Sequence, residues 1–157
     1  MLKGHPIASY LKFSLFAALL YAVTIFIFIR DASFRDTWIL YIGNILFAAG
    51  IAIFVFNRFS KSDKMTTWYV IGAAHITTII GIIMSVLLVV LLVLILIPSV
   101  LAHHPSSSAM LANSPAQLDG KTNGFLTVCF IDATLGNFFA GFFVSLLFPF
   151  SLSKNYK

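Results

Sequence analysis

The chain contains no glutamate, and its five acidic residues are all aspartate: Asp31, Asp36, Asp63, Asp119 and Asp132. Charged residues are 10% of the 157, which excludes the charge-rich surface of an ordinary soluble domain. A single cysteine, Cys129, excludes an internal disulfide and any cysteine-based metal cluster. It sits in an apolar run and reads as a small packing residue. Catalytic parts are missing as well: no paired carboxylates, no Ser–His–Asp order and no nucleophile elbow stand out. No Walker loop, dinucleotide fingerprint, HExxH sequence or lipidation box is present. An enzyme is therefore not expected, nor is a bound cofactor or metal.

The longest absence is of charge. Between Lys64 and Asp119 there is no Asp, Glu, Lys or Arg, and from Ile79 to Leu101 only Ser85 and Ser99 carry polar side chains. What fills the gap is Trp68–Leu101, which as a helix reaches roughly 50 Å, against about 30 Å of bilayer hydrocarbon. No soluble domain of this size can hide such a helix. With 60% hydrophobic residues and a mean hydropathy of +1.00, the rest of the chain must follow it into lipid.

Hydrophobic runs predict four spans, at about 7–29, 37–56, 68–101 and 125–150, in one all-α transmembrane domain covering 1–157. Lys12 near the start of the first can send its ammonium back to the headgroups along its aliphatic stem. The first run is too long for a signal-peptide core and no small-x-small site follows it, so it reads as an uncleaved anchor. Trp38 and Tyr41 open the second span and Trp68 and Tyr69 the third, as an interfacial aromatic belt requires. Pro98 ends or kinks the third span and Pro149 closes the fourth. Residues 102–124 form the one long loop, punctuated by Ser, Pro, Asn and Gly.

The net charge of +5 is scattered over helix ends and forms no stripe, so nucleic acid is not an expected partner. Four spans place Lys3, Lys12, Arg58, Lys61, Lys64, Lys154 and Lys157 on one side and Arg30, Arg35 and Lys121 on the other. That imbalance predicts both termini in the cytoplasm, an N-in/C-in protein of the cytoplasmic membrane.

Lipid is as apolar as Leu, so helices in it associate through small residues and a few polar ones. Each span carries small or polar residues four apart, on one helix face: Ser14, Ala18 and Ala22; Asn44, Ala48 and Ala52; Ala73, Thr77, Gly81 and Ser85; Ala133, Asn137, Gly141 and Ser145. The third of these ridges stops at Ser85, so the aliphatic run Val86–Ile97 is expected to face lipid or another protein, with lipid favoured because a uniform aliphatic surface lacks the small or polar features that specify a partner.

Four intramembrane polar residues are the site candidates: Asp132, His75, Asn44 and Asn137. Asp132 lies about 12 Å into the fourth span, where an ionised carboxylate costs about 2.5–3.5 kcal/mol at the helix centre and often marks an ion or proton pathway. Alternatively it sits near the outer headgroups, bonded to a Thr, an Asn or the backbone. Asn44 is at a similar depth, which predicts an Asn44–Asp132 contact. Asn44 and Asn137 each read as interhelical hydrogen-bonding groups. His75 lies at the opposite depth. It is either a relay or ligand, or bonded to Thr78, Thr24 or a backbone carbonyl. His103 and His104 in the loop read as solvated, with metal binding the alternative. The phenylalanines of the fourth span, Phe138, Phe139, Phe142 and Phe143, spread around the helix as core and lipid surface.

Phe34-Arg35-Asp36-Thr37-Trp38 entering the second span, Ala74-His75-Ile76-Thr77-Thr78 in the third, and Gly136-Asn137 with Phe148-Pro149-Phe150-Ser151-Leu152 in the fourth give the chain a familiar layout. It resembles small four-span bacterial membrane proteins of unknown function, a resemblance that implies a four-helix fold and no activity. The function expected first is a structural, accessory or partner-binding membrane subunit, set in the lipid bilayer with a second copy or another membrane protein as its partner. The rival is a small oligomeric transporter or channel using Asp132, Asn44, Asn137 and His75. A third possibility is a sensor reading a metal through His103 and His104.

Overall fold

The computed structural model describes residues 7–31, 36–60, 66–97 and 123–153. The long loop with His103 and His104, and Lys3, Arg35, Lys61, Lys64, Lys121, Lys154 and Lys157, lie outside the described residues. Among the described residues every element is helical: α1 (Ile7–Asp31), α2 (Trp38–Ser60), α3 (Thr67–Leu96), α4 (Asn123–Ile131), a π-helical turn (Asp132–Gly136) and α5 (Asn137–Ser153). The last three form one continuous rod. Four helices are thus long and apolar enough to cross a membrane: Ile7–Arg30, Trp38–Arg58, Thr67–Leu96 and Gly124–Leu152.

The ends of α3 follow from local chemistry. Thr66 is extended (φ −72°, ψ 143°), and its carbonyl accepts from the N–H groups of Tyr69 and Val70 at 3.0 and 3.3 Å. At the other end Ile97 leaves helical geometry (φ −129°, ψ 64°) while its N–H still donates to Val93 O at 2.8 Å. Ile97 precedes Pro98, whose ring crowds a helical conformation in the residue before it. The helix α3 therefore ends at Leu96, and residues 98–101 of the expected span lie outside the described residues.

Cross-helix contacts fix the direction of each rod. The Tyr10 and Tyr69 hydroxyls lie 3.4 Å apart, and Ser14 Oγ donates to Thr77 O at 2.8 Å. Ile25, Phe28 and Ile29 share a buried cluster with Val89 and Val93. So α1 and α3 run the same way. The Tyr10 ring meets Phe54 and Gly50 meets Ala17, so α2 runs against α1. Trp68 touches Phe150 and Thr78 touches Ser145, which sets the fourth span against α3. The start of α1, the finish of α2, the start of α3 and the finish of α5 gather at one end, as threading back and forth demands. The main neighbours of α1 are α2 and α3, and α5 also packs on α2 and α3, so α1 and the fourth span face each other across the bundle.

At the centre stands Phe47, fully buried. Its ring fills the space left by two glycines. A Cβ on Gly81 would approach Phe47 Cζ to 3.0 Å, and one on Gly141 would approach Phe47 Cε1 to 3.2 Å. The ridges on α3 and the fourth span are thus buried seams, with Ala73, Thr77, Gly81 and Ser85 on one and Ala133, Asn137, Gly141 and Ser145 on the other. On α2 the ridge of Asn44, Ala48 and Ala52 is only half-buried, and the seam runs instead through Leu40, Gly43, Phe47, Gly50 and Phe54. A ring needs small partners opposite it. The small residues that matter to Phe47 are on the neighbouring helices.

Two expectations are corrected here. The α3 seam does not stop at Ser85. It continues at the same four-residue step through the buried Val89 and Val93, while Leu87, Leu91 and Ile95 face outward. Aliphatic branches interlock with Ile25 and Phe28 as well as small residues would. Pro149 does not close the fourth span, since α5 runs on to Ser153 with Pro149 buried inside it. Proline removes one backbone bond, a loss that helices in apolar surroundings tolerate when neighbouring groups resatisfy the freed carbonyl.

Outside the seams the surface is as apolar as the interior. Leu15, Leu19 and Val23 on α1, Ile45 and Ile53 on α2, Ile79, Ile83 and Leu87 on α3, and Phe139, Phe143 and Leu147 on α5 are all exposed. A helix apolar all round belongs in lipid or deep inside a large protein.

Candidate functional site around Asp132

The polar centre is built where the fourth span changes its winding. Between Asp132 and Gly136 the helix widens to a π-turn, closed by the Asn137 N–H bonding to the carbonyls of Asp132 and Thr134. A four-residue step overshoots an α-turn by about 40°, so residues four apart drift round the helix. The wider turn takes up one such overshoot and keeps Ala133 and Asn137 on the same buried seam. Side chains serve the loosened carbonyls: Thr134 Oγ1 donates to Phe130 O at 2.8 Å and to Ile131 O at 3.1 Å, and Asn137 Nδ2 donates to Ala133 O at 3.1 Å. Widened turns of this kind occur often at functional sites.

From this turn the Asp132 carboxyl points inward and both its oxygens accept a hydrogen bond. Asn44 Nδ2 donates to Oδ1 at 2.8 Å from α2. The Tyr21 hydroxyl donates to Oδ2 at 2.8 Å from α1, across the bundle. One side chain thus ties three helices together. Gly136 gives the group its room, because a Cβ there would lie 2.6 Å from Asn44 Nδ2 and 2.7 Å from Asp132 Oδ1. Tyr21 is fully buried, and Asp132 and Asn44 are half-buried. Cys129, also fully buried, lies one turn before Asp132.

The expected Asn44–Asp132 contact is therefore present. Tyr21 is the member that the sequence reading missed. Its signal was available: a tyrosine midway along an apolar span, three residues after Ala18 on the ridge side of α1, needs a partner for its hydroxyl once buried.

The other two expected members do not join. Asn137 is fully buried, but its amide turns back to its own helix and makes no interhelical bond among the described residues, a correction to the expectation for it. The π-turn lies between the two residues, and the Asn137 amide reaches back across it to the Ala133 carbonyl. His75 Nδ1 donates to Ile71 O at 2.9 Å within α3, the backbone alternative expected for it, and its ring packs edge-on against Phe142 at 5.0 Å. Phe142 is ten residues from Asp132, about 15 Å along the helix. The two titratable groups stand apart.

Asn44 Oδ1, Asn137 Oδ1 and Ser85 Oγ are buried polar atoms with no hydrogen-bond partner among the described residues. Among the described residues, too, no three His, Cys, Asp or Glu side chains gather as a metal site needs. A three-helix clasp of one carboxyl, one amide and one phenol is what the centre offers chemically. No protein-family model, curated protein or solved structure matches this chain, so its function has to be read from these groups and from the helices that carry them.

Proposed function

We propose that the chain is a multi-pass protein of the cytoplasmic membrane, N-in/C-in, that serves as a structural or partner-binding subunit and carries out no catalysis of its own. One observation supports this reading: the side-chain hydrogen bonds of the central carboxyl join helices to one another. Asp132 is clasped by Asn44 and Tyr21, Ser14 is bonded to Thr77 O, and the Thr78 and Ser145 hydroxyls meet. The basic bias toward the end that holds both termini supports the orientation. The partner is a second copy or another membrane protein, met through the apolar outer faces.

The test is crosslinking in intact membranes followed by mass spectrometry of what co-purifies. A reproducible partner or oligomer is expected. Monomer alone, at native expression, would remove the partner-binding reading.

A second reading, a small oligomeric transporter, draws on the unpartnered Asn44 Oδ1, Asn137 Oδ1 and Ser85 Oγ. A buried polar atom left open calls for an explanation, and a neighbouring water or ion is one. Purified protein in liposomes discriminates: flux of protons, ions or small solutes that Asp132→Asn abolishes would establish transport and displace the first proposal.

A further inference from the structure

We propose that Asp132, Asn44, Asn137 and Ser85 form a binding site for one sodium-sized cation in the middle of the bundle. Register brings the four together. The Phe47 ring meets Gly81 on α3 and Gly141 on α5. One helical turn from those contacts, toward the end where α2 and the fourth span begin, lie Asn44 on α2, Ser85 on α3 and Asn137 on the fourth span. The Thr78 and Ser145 hydroxyls give the same register: they lie 3.2 Å apart, and equal steps along each rod bring Ser85 level with residue 138. Asn44 Oδ1 and Asp132 Oδ1 come to one spot, since a Cβ on Gly136 would lie 2.8 Å from the first and 2.7 Å from the second. Gly136 adjoins Asn137, and its π-turn packs on both α2 and α3.

The oxygens gathered there have capacity left. Asn44 Oδ1, Asn137 Oδ1 and Ser85 Oγ are buried without a hydrogen-bond partner among the described residues, and Asn137 and Ser85 are wholly buried. Ser85 differs from its neighbours on the seams. Thr77 Oγ1 and Ser145 Oγ each donate to the carbonyl four residues earlier, at 2.9 and 2.7 Å, and Ser85 Oγ does not. Amide and hydroxyl oxygens present the lone pairs that a hard cation takes.

Charge selects the ligand. Both Asp132 oxygens accept hydrogen bonds, and their donors, Asn44 Nδ2 and the Tyr21 hydroxyl, are neutral. Among the described residues the basic side chains are Lys12, Arg30 and Arg58. The nearest of them start about 14 Å along the helix from the level of Tyr21. Buried charges are paired or coordinate a metal ion, and each carboxylate oxygen keeps a lone pair after its one hydrogen bond. A monovalent ion leaves the site neutral. Calcium would leave excess positive charge and takes about six to eight oxygens. A water molecule would meet the amide oxygens and the hydroxyl but leave the carboxylate charge unbalanced.

The inference goes beyond both functional readings, because a bound ion ties three helices in a static subunit as in a transporter. Purified protein in mild detergent is incubated with radioactive sodium, and bound ion is counted by scintillation proximity. Saturable binding of one ion per chain is expected, with choline unable to compete. Sodium at roughly ten times its dissociation constant should raise the folded-to-unfolded ratio about elevenfold over choline chloride of equal ionic strength, read by SDS titration. Asp132→Asn, which keeps the side-chain shape, should abolish binding. Ser85→Ala should weaken it at least about tenfold, the loss found even for supporting groups around a bound metal. Ser145→Ala, two turns away on the same seam as Asn137, should leave the affinity unchanged. Where Asp132→Asn fails to fold, Ser85→Ala decides alone. No sodium binding by the folded parent, or binding that Ser85→Ala retains at parental affinity, overturns the site. Stabilisation by acid with none by sodium would mean that Asp132 holds a proton, and overturns it too. Crosslinked partners and liposome flux are measured independently, so the site and the functional readings fail separately.

Discussion

Replacing Gly50 by alanine tests the packing at its tightest backbone approach. A Cβ there would stand 2.7 Å from Ala17 Cβ and 2.8 Å from Ala17 Cα. Carbon atoms rest at about 3.5–4.0 Å, so α1 and α2 must part by about 1 Å. No side chain can swing aside, because the obstruction is the Ala17 backbone itself. A gap of about 0.5–1 Å forfeits a quarter to a half of each neighbouring contact's attraction, and the contacts at risk are those of the fully buried Ala17, Ala18, Tyr21 and Ile51. Overpacking of this kind costs about 1–3 kcal/mol. The better helix propensity of alanine returns about 1 kcal/mol, which leaves a net loss of up to about 2 kcal/mol.

Gly72 is the control, since a Cβ there meets nothing within 4 Å. Gly72→Ala keeps the propensity gain alone and should stabilise by about 0.4–1 kcal/mol. The same chemical change thus differs between the two sites by the overpacking cost alone, about 1–3 kcal/mol. Unfolding in mixed micelles with a rising SDS fraction, followed by helical circular dichroism, measures both. Equal midpoints for the two variants, or a Gly50→Ala variant more stable than the parent, would refute the close approach of α1 and α2.

Three further outcomes follow from the same geometry. Tyr21→Phe should destabilise by about 0.6–2 kcal/mol, and its effect should shrink in an Asp132→Ala background; strict additivity in that double-mutant cycle would mean the two groups do not bond. Phe47→Ala should cost about 3–5 kcal/mol, because Gly81 and Gly141 beside the ring have no side chains with which to fill the cavity; a loss below about 1 kcal/mol in the same titration would remove Phe47 from the centre. Cys129, fully buried, should resist a membrane-permeant maleimide in the folded protein and react once SDS unfolds it; rapid labelling in the native state would contradict the seam in which it lies.

The site was only partly legible in the sequence. Asn44 and Asp132 could be paired because the depth of a residue in a span follows from counting along a helix of fixed rise. Tyr21 could not be paired by counting alone, since its bond crosses the bundle and depends on which helices stand diagonally. Asn137 was placed on the right seam but given the wrong partner. Its amide serves the loosened π-turn, and that turn is not encoded in any four-residue spacing.

The number of helices, their membrane-spanning length and the seams of α3 and the fourth span are dictated by composition and periodicity, because an apolar run has one stable conformation in lipid and residues four apart share one face. Which helix faces which, the shift of the α2 seam onto Phe47, the passage of α5 through Pro149, and the meeting of Tyr21, Asn44 and Asp132 were decided only on assembly. Each depends on the shape of a side chain from one helix meeting the gap left by another, and the sequence of a single span does not carry that shape.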